Sequence, residues 1–299
     1  MTTVLAKLLL DIKISHTIFA MPFALLGGFM AATNGGQISW ETFLGQLLLI
    51  VICMFFARTV AMLANRIVDR DIDAKNPRTE NRVLASNAVS LRTSLFIFCC
   101  CALLFIITTG LFILWNNYLP LYLSIPVLIW LSFYPLCKRF TWLCHVYLGA
   151  ALALSPLAAA IAVEPETLHH APIWLLSGMV LCWVAGFDII YALQDVDCDI
   201  RDNLKSMPAS LGVKPAMLIS QFLHCMCVAL LFGVATTDPK LGWVFLGAII
   251  LIAMLLIYEH LTVKKWGTTK IALTFFTLNG VVSLLLGGAG IIDVLLASK

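Results

Sequence analysis

Apolar runs of about 17–25 residues recur along this 299-residue chain, and nothing else in it limits the possible folds so strongly. A helix of that length is what crosses the roughly 30 Å hydrocarbon core of a bilayer. The runs lie near residues 15–34, 41–64, 95–114, 118–136, 145–163, 172–194, 214–235, 241–258 and 271–296. A soluble domain could not hide so much apolar surface: 61% of residues are hydrophobic, 12% are charged, and the mean hydropathy is +0.98. Backbone polar groups in lipid must be satisfied within the segment, so the spans are helices. The expectation is an all-α polytopic membrane protein, one domain over 1–299, with about nine transmembrane helices around a central cavity. Pro22, Pro120, Pro126, Pro135 and Pro156 lie in or beside spans and predict kinks that leave room for that cavity.

The loops predict orientation. Of the 19 Lys and Arg residues, all but three fall on one side. These are Lys7 and Lys13, then Arg66, Arg70, Lys75, Arg78, Arg82 and Arg92, then Lys138 and Arg139. Arg201, Lys205 and Lys214 follow, and last Lys264, Lys265 and Lys270. Lys240 and Lys299 lie opposite, and Arg58 is inside a span. By the positive-inside rule the N-terminus and the basic loops are cytoplasmic, and the expected location is the cytoplasmic (inner) membrane. The net charge of +3 is a topology signal and implies no nucleic-acid partner. Ten cysteines offer no disulfide framework: Cys99, Cys100 and Cys101 are consecutive in a span, without His or carboxylate beside them. Met1 to Lys13 is short and mixed and no cleavage site follows the first run, so no cleavable signal is expected.

Two apolar runs end in acidic clusters. The first reads Asn65-Arg66-Ile67-Val68-Asp69-Arg70-Asp71-Ile72-Asp73; the second reads Tyr191-Ala192-Leu193-Gln194-Asp195-Val196-Asp197-Cys198-Asp199, with corresponding aspartates 126 residues apart. Steps of four share a helix face. Asn65, Asp69 and Asp73 therefore form one column, with Arg58 two turns below. Asp188, Tyr191, Asp195 and Asp199 form another, while Asp71 points off its face toward solvent. If the columns face each other, four carboxylates and an amide converge at a cytoplasmic mouth.

Carboxylates that close repel unless cations lie between them. Oxygen donors without His or thiolate select hard ions, Mg²⁺ above all, completed by substrate phosphates. Arg78, Arg82, Lys138, Arg139 and Lys205 supply the cationic half of a diphosphate site. Arg58 and Asp188 lie within spans, where ionisable groups are costly and usually functional. A metal–diphosphate site opening into an apolar cavity suits a lipid diphosphate. The chemistry needing both is allylic prenyl transfer: diphosphate leaves, a delocalised cation forms in a dry pocket, and an electron-rich aromatic attacks.

These residues carry a resemblance. The columns Asn65-x-x-x-Asp69-x-x-x-Asp73 and Asp188-x-x-Tyr191-x-x-x-Asp195-x-x-x-Asp199 resemble the two aspartate-rich signatures of the UbiA superfamily of intramembrane prenyltransferases. Tyr134-Pro135-Leu136-Cys137-Lys138-Arg139 is similar to a segment of its 4-hydroxybenzoate branch, as are Asp69 to Thr79 and Lys205 to Ala209. The likeness covers essentially the whole chain. It implies a polyprenyltransferase joining a polyprenyl diphosphate to a phenolic aromatic acid. On that likeness Asn65, Asp69, Asp73, Asp195 and Asp199 hold Mg²⁺, and Asp188, Tyr191 and Arg58 stand on the catalytic and acceptor side. One departure matters: the first motif commonly begins Asn-Asp, and here Arg66 stands second. That feature, with Gly186 to Asp195, resembles a menaquinone subgroup using 1,4-dihydroxy-6-naphthoate, so 4-hydroxybenzoate and this naphthoate both remain open as acceptors. A divalent-cation transporter with paired aspartates and a non-catalytic membrane assembly partner are the other classes compatible with the clusters.

Overall fold

The structure is a computed structural model, which describes residue 11 and residues 19–33, 39–271 and 277–298. Twelve α-helices are labelled here. They are α1 (Met21–Ala32), α2 (Trp40–Val68), α3 (Arg70–Asp73), α4 (Leu91–Gly110), α5 (Leu119–Cys137) and α6 (Cys144–Val163). Then come α7 (Ala171–Ala192), α8 (Val196–Arg201), α9 (Met207–Leu211), α10 (Val213–Thr237), α11 (Trp243–Trp266) and α12 (Asn279–Ala297). Eight helical segments among the described residues are long and apolar enough to cross a membrane. The first expected span is represented by α1, an apolar helix of 12 residues that starts after the described turn at Ala20; residues 15–18 and 34 of that run lie outside the described residues. Residues 272–276 of the last expected span also fall outside them. The fold is an all-α polytopic membrane protein.

Local chemistry sets the helix ends. Pro22 sits in the first turn of α1, where its missing N–H is no loss. The Ser90 hydroxyl accepts from the Thr93 N–H at 3.1 Å to cap α4. Asn116, at φ 58°, turns the chain between α4 and α5. α11 continues through Lys264 and Lys265, which lie in its last turn and not in a loop.

The core gathers around α7, whose Leu176, Val180, Trp183 and Val184 are fully buried, packed with Phe23 of α1 and Phe245 of α11. Hydrophobic force is weak between helices in lipid, so close approach depends on small residues. A Cβ on Gly149 of α6 would lie 2.5 Å from the Leu181 carbonyl oxygen of α7. A Cβ on Gly186 of α7 would lie 2.3 Å from the His224 ring of α10. Outward faces carry large apolar side chains such as Phe96, Tyr122, Ile129 and Trp243, all exposed, as a lipid-facing surface requires. All ten cysteines are free.

Candidate active site

The acidic columns do not run on unbroken helices as their spacing suggested. α2 stops at Val68, Asp69 takes φ −95° and ψ 6°, and α3 restarts at Arg70. α7 stops at Ala192, Asp195 takes φ −111° and ψ 5°, and α8 restarts at Val196. Each break falls at the first aspartate of its cluster, so the 126-residue correspondence is also one of backbone shape. The register of four survives: Asp73 N–H donates to the Asp69 carbonyl at 2.7 Å, and Asp199 N–H to the Asp195 carbonyl at 2.7 Å.

All four aspartates line one cavity of about 470 Å³ that runs inward from these breaks. Its mouth also holds Asn65, Arg78, Arg82 and Lys138; its inner part holds Arg58, Tyr134, His145, Asp188 and Tyr191, with Phe19, Leu148, Val184 and Phe187 as apolar wall. Asp71 and Asp197 are exposed. Lys205 and Arg139 are not among the lining residues. Lys205 is exposed, and its backbone N–H donates to the Lys138 carbonyl at 2.6 Å. Arg139 donates to the Val68 carbonyl and comes only within 3.9 Å of Asp69. Arg201 likewise turns away, donating to the Lys75 carbonyl at 3.1 Å, the position 126 residues before its own.

The carboxylates are held by the cations expected to meet phosphate. Lys138 Nζ lies 2.7 Å from Asp69 Oδ2, and Arg82 Nη1 lies 2.8 Å from both Asp73 oxygens. Arg78 grips Asp195 through Nε at 2.9 Å and through a second, shorter contact from Nη2, while its Nη1 donates to the Tyr191 hydroxyl at 2.9 Å. Burial pushes the Asp69 and Asp199 carboxyls above the usual carboxylate range; Lys138 opposes this at Asp69. Arg78 is desolvated, yet its bonds to Asp195 hold its guanidinium above its ordinary value.

Asn76 and His145 carried no sequence signal, and Arg66 showed only as a departure whose partners were not visible. Asn76 donates to Asp195 Oδ1 at 2.9 Å. His145 Nδ1 lies 2.7 Å from Asp188 Oδ2. Arg66, only 5% exposed, reaches back to Asp11 at 2.7 Å and donates to Asn65 Oδ1 at 2.8 Å. Asn65 in turn donates to Asp69 Oδ2 at 2.9 Å. The arginine that replaces an acidic residue is thus neutralised by Asp11 and orients Asn65.

The donor set suits a hard divalent ion. Every candidate donor is oxygen, and Asp69 Oδ1 is buried without a hydrogen-bond partner. Among the described residues no three His, Cys, Asp or Glu groups come together as a metal cage. The protein could therefore offer only a few carboxylate oxygens, with phosphate and water completing the shell, which is the usual way Mg²⁺ is held.

Fold and cavity together define a class: a polytopic α-helical membrane enzyme whose polar mouth of paired carboxylates and cations leads into an apolar chamber. The chain belongs to the UbiA prenyltransferase family, matched over residues 20–281. The 4-hydroxybenzoate octaprenyltransferase of Edwardsiella ictaluri is 31% identical over 247 residues, 81% of this chain and 82% of that one. A polyprenyl transferase of Arthrinium sp is 30% identical over 240 residues, 77% of this chain and 74% of that one. A UbiA homolog from Aeropyrum pernix K1, solved in the apo state, matches with a TM-score of 0.82 at 31% identity, covering 94% of this chain and 98% of that one. A UbiA homolog from Archaeoglobus fulgidus bound to DMAPP and Mg²⁺ shares the fold, with a TM-score of 0.68 at 18% identity over 96% and 99% of the two chains. The chain is accordingly a prenyltransferase, and the transporter and assembly-partner classes fall away.

Proposed function

We propose that this enzyme transfers the polyprenyl group of a polyprenyl diphosphate to a hydroxylated aromatic acid, with Mg²⁺, in ubiquinone or menaquinone biosynthesis. One observation carries the reading. Each of Asp69, Asp73 and Asp195 is already paired with a cation at the mouth of a chamber whose inner end holds an arginine, two tyrosines and a half-buried carboxylate. The Archaeoglobus fulgidus neighbour's bound DMAPP and Mg²⁺ support the donor and the metal. The names of curated relatives favour 4-hydroxybenzoate; Arg66 keeps 1,4-dihydroxy-6-naphthoate as the other acceptor of the same phenolic-acid class.

In this reading Asn65, Asp69, Asp73, Asp195 and Asp199 hold Mg²⁺, which when bound lowers the charge on the departing diphosphate. Arg78, Arg82 and Lys138 exchange their carboxylate partners for phosphate oxygens, while Arg139 and Lys205 attract the donor from the rim. The apolar wall of Phe19, Leu148, Val184 and Phe187 excludes water from the allylic cation, and Tyr191 faces it with an electron-rich ring. Arg58 Nε is buried without a hydrogen-bond partner. It is placed to receive the acceptor's carboxylate and so to turn the ring toward the cation. Asp188 accepts the proton that the ring loses. The concentration of basic residues beside the mouth supports a position on the cytoplasmic face of the inner membrane, where both water-soluble acceptor and amphiphilic donor can reach it.

The test is a competition in membranes containing the enzyme, offering 4-hydroxybenzoate and 1,4-dihydroxy-6-naphthoate with one long prenyl diphosphate. Mg²⁺-dependent prenylation of one acceptor supports the reading. Diphosphate release without any prenylated phenolic acid refutes it.

A further inference from the structure

His145 is the second residue of α6, is 4% exposed, and lines the cavity beside Asp188. Both of its ring nitrogens are engaged. Nδ1 lies 2.7 Å from Asp188 Oδ2, and Nε2 lies 3.2 Å from the backbone nitrogen of Met207. Met207 opens α9, where a backbone N–H has no acceptor within its own helix. An amide N–H can only donate, so Nε2 must carry the lone pair and the ring hydrogen must sit on Nδ1. That tautomer donates to Asp188 and fixes one carboxylate oxygen. No other hydrogen bond of Asp188 is present among the described residues, and its side chain keeps 20% exposure toward the cavity.

The segment that His145 grips is itself part of the mouth. Leu204 N–H donates to the Asp199 carbonyl at 2.8 Å, and Lys205 N–H to the Lys138 carbonyl at 2.6 Å. One imidazole therefore links the segment carrying the Lys138 and Asp199 contacts to the carboxylate at the inner end, across three separate helices.

We propose that His145 is a positioning residue that locks Asp188 as an oriented carboxylate and makes that orientation depend on the seating of residues 204–207. The proposal rests on the function given above. In that reaction the allylic C–O bond breaks and its electron pair leaves with diphosphate. The π pair of a ring carbon beside the acceptor's hydroxyl forms the new C–C bond, the position opposite the hydroxyl being blocked by the carboxylate in 4-hydroxybenzoate. The proton on that carbon passes to the unengaged Asp188 oxygen, and the C–H pair restores the aromatic ring. The Nδ1–H bond to the other oxygen stops the carboxylate from rotating away at that moment.

The experiment compares intact wild-type enzyme with His145→Ala, His145→Asn and Asp188→Asn in membranes, using 4-hydroxybenzoate with hydrogen or deuterium at both ring positions beside the hydroxyl. Wild type should show an isotope effect near 1. His145→Ala should lose about tenfold or more in kcat, with the KM for prenyl diphosphate little changed, and should show an isotope effect of about 2 or more as proton removal becomes slow. His145→Asn keeps a donor near Asp188 and should recover most of the rate with an isotope effect near 1, which also answers the objection that Ala merely unseats α9. Equal losses in Ala and Asn with no isotope effect in either would overturn the proposal, leaving His145 as a cap for Met207. An inactive Asp188→Asn beside a fully active His145→Ala overturns it too, without touching the role of Asp188. Full turnover by Asp188→Asn would instead refute the functional reading of Asp188 and the His145 proposal with it.

Discussion

Replacing Arg78 by Lys isolates geometry from charge at the mouth. Arg78 makes three directed contacts: two parallel donations to the Asp195 carboxylate and one to the Tyr191 hydroxyl, with its guanidinium carbon 5.1 Å from the centre of the Tyr191 ring. A lysine ammonium keeps the charge and can recover one of these contacts, but it cannot present a planar fork. Once phosphate oxygens take the place of Asp195 the fork would make the same bonds to them, so Lys forgoes two charge-assisted bonds to the bound donor. Each could contribute more than 1.5 kcal/mol if fully buried, but the Arg78 side chain is 31% exposed, so about 1 kcal/mol each is the appropriate discount. The sum of about 2 kcal/mol corresponds to roughly a 30-fold fall in kcat/KM. The loss should fall on the prenyl donor, because Asp195 and Arg78 both sit where the diphosphate would bind. The assay varies prenyl diphosphate at saturating acceptor and Mg²⁺, then reverses the roles. Arg78→Met, which removes the charge as well, should be worse than Lys. A fall under about threefold, or one confined to the acceptor's KM, would refute the assignment of Arg78 to the donor.

Three further outcomes are expected. Arg58→Met should raise the KM for the aromatic acid far more than that for the prenyl donor; equal rises would remove Arg58 from the acceptor site. Gly149→Ala should destabilise the detergent-solubilised enzyme by about 1–3 kcal/mol, read as a lowered Tm, because its Cβ would meet the Leu181 carbonyl at 2.5 Å and backbone cannot easily yield; an unchanged Tm would show that α6 and α7 have slack. The metal-free protein should lose stability as pH rises from about 4 through the raised native pKa of Asp69, since the unfolded chain gives up that proton first. Asp69→Asn should flatten this slope in thermal unfolding with EDTA, and a wild type that gains stability relative to the variant over that window would reverse the sign and refute the burial argument.

The sequence made the spans and the two acidic columns legible because both are short-range periodicities: 17–25 apolar residues in one case and steps of four in the other. It also placed Asp71 outside the site, since a helix face is settled by local geometry. What escaped it is non-local. His145 meets Asp188 from 43 residues away and Asn76 meets Asp195 from 119 away, and no spacing rule marks either. Lys205 and Arg139 look the same as Lys138 in a charge count, yet the turn after α5 sends only Lys138 into the cavity. The helix breaks at Asp69 and Asp195 were missed because a step of four survives a local kink. Arg66 stood out as a departure, but its compensation comes from Asp11, 55 residues earlier.

The pairing of Asp69, Asp73 and Asp195 with Lys138, Arg82 and Arg78 also bears on the order in which ligands arrive. A mouth whose acids are already neutralised exerts little pull on a free divalent cation, because the cation must first displace a tethered ammonium or guanidinium. A metal that comes already bound to diphosphate meets no such toll, since its phosphate oxygens give each displaced side chain a new partner at once. In an enzyme built this way the metal and the prenyl donor would enter together, and the three ion pairs at the mouth would re-form between turnovers.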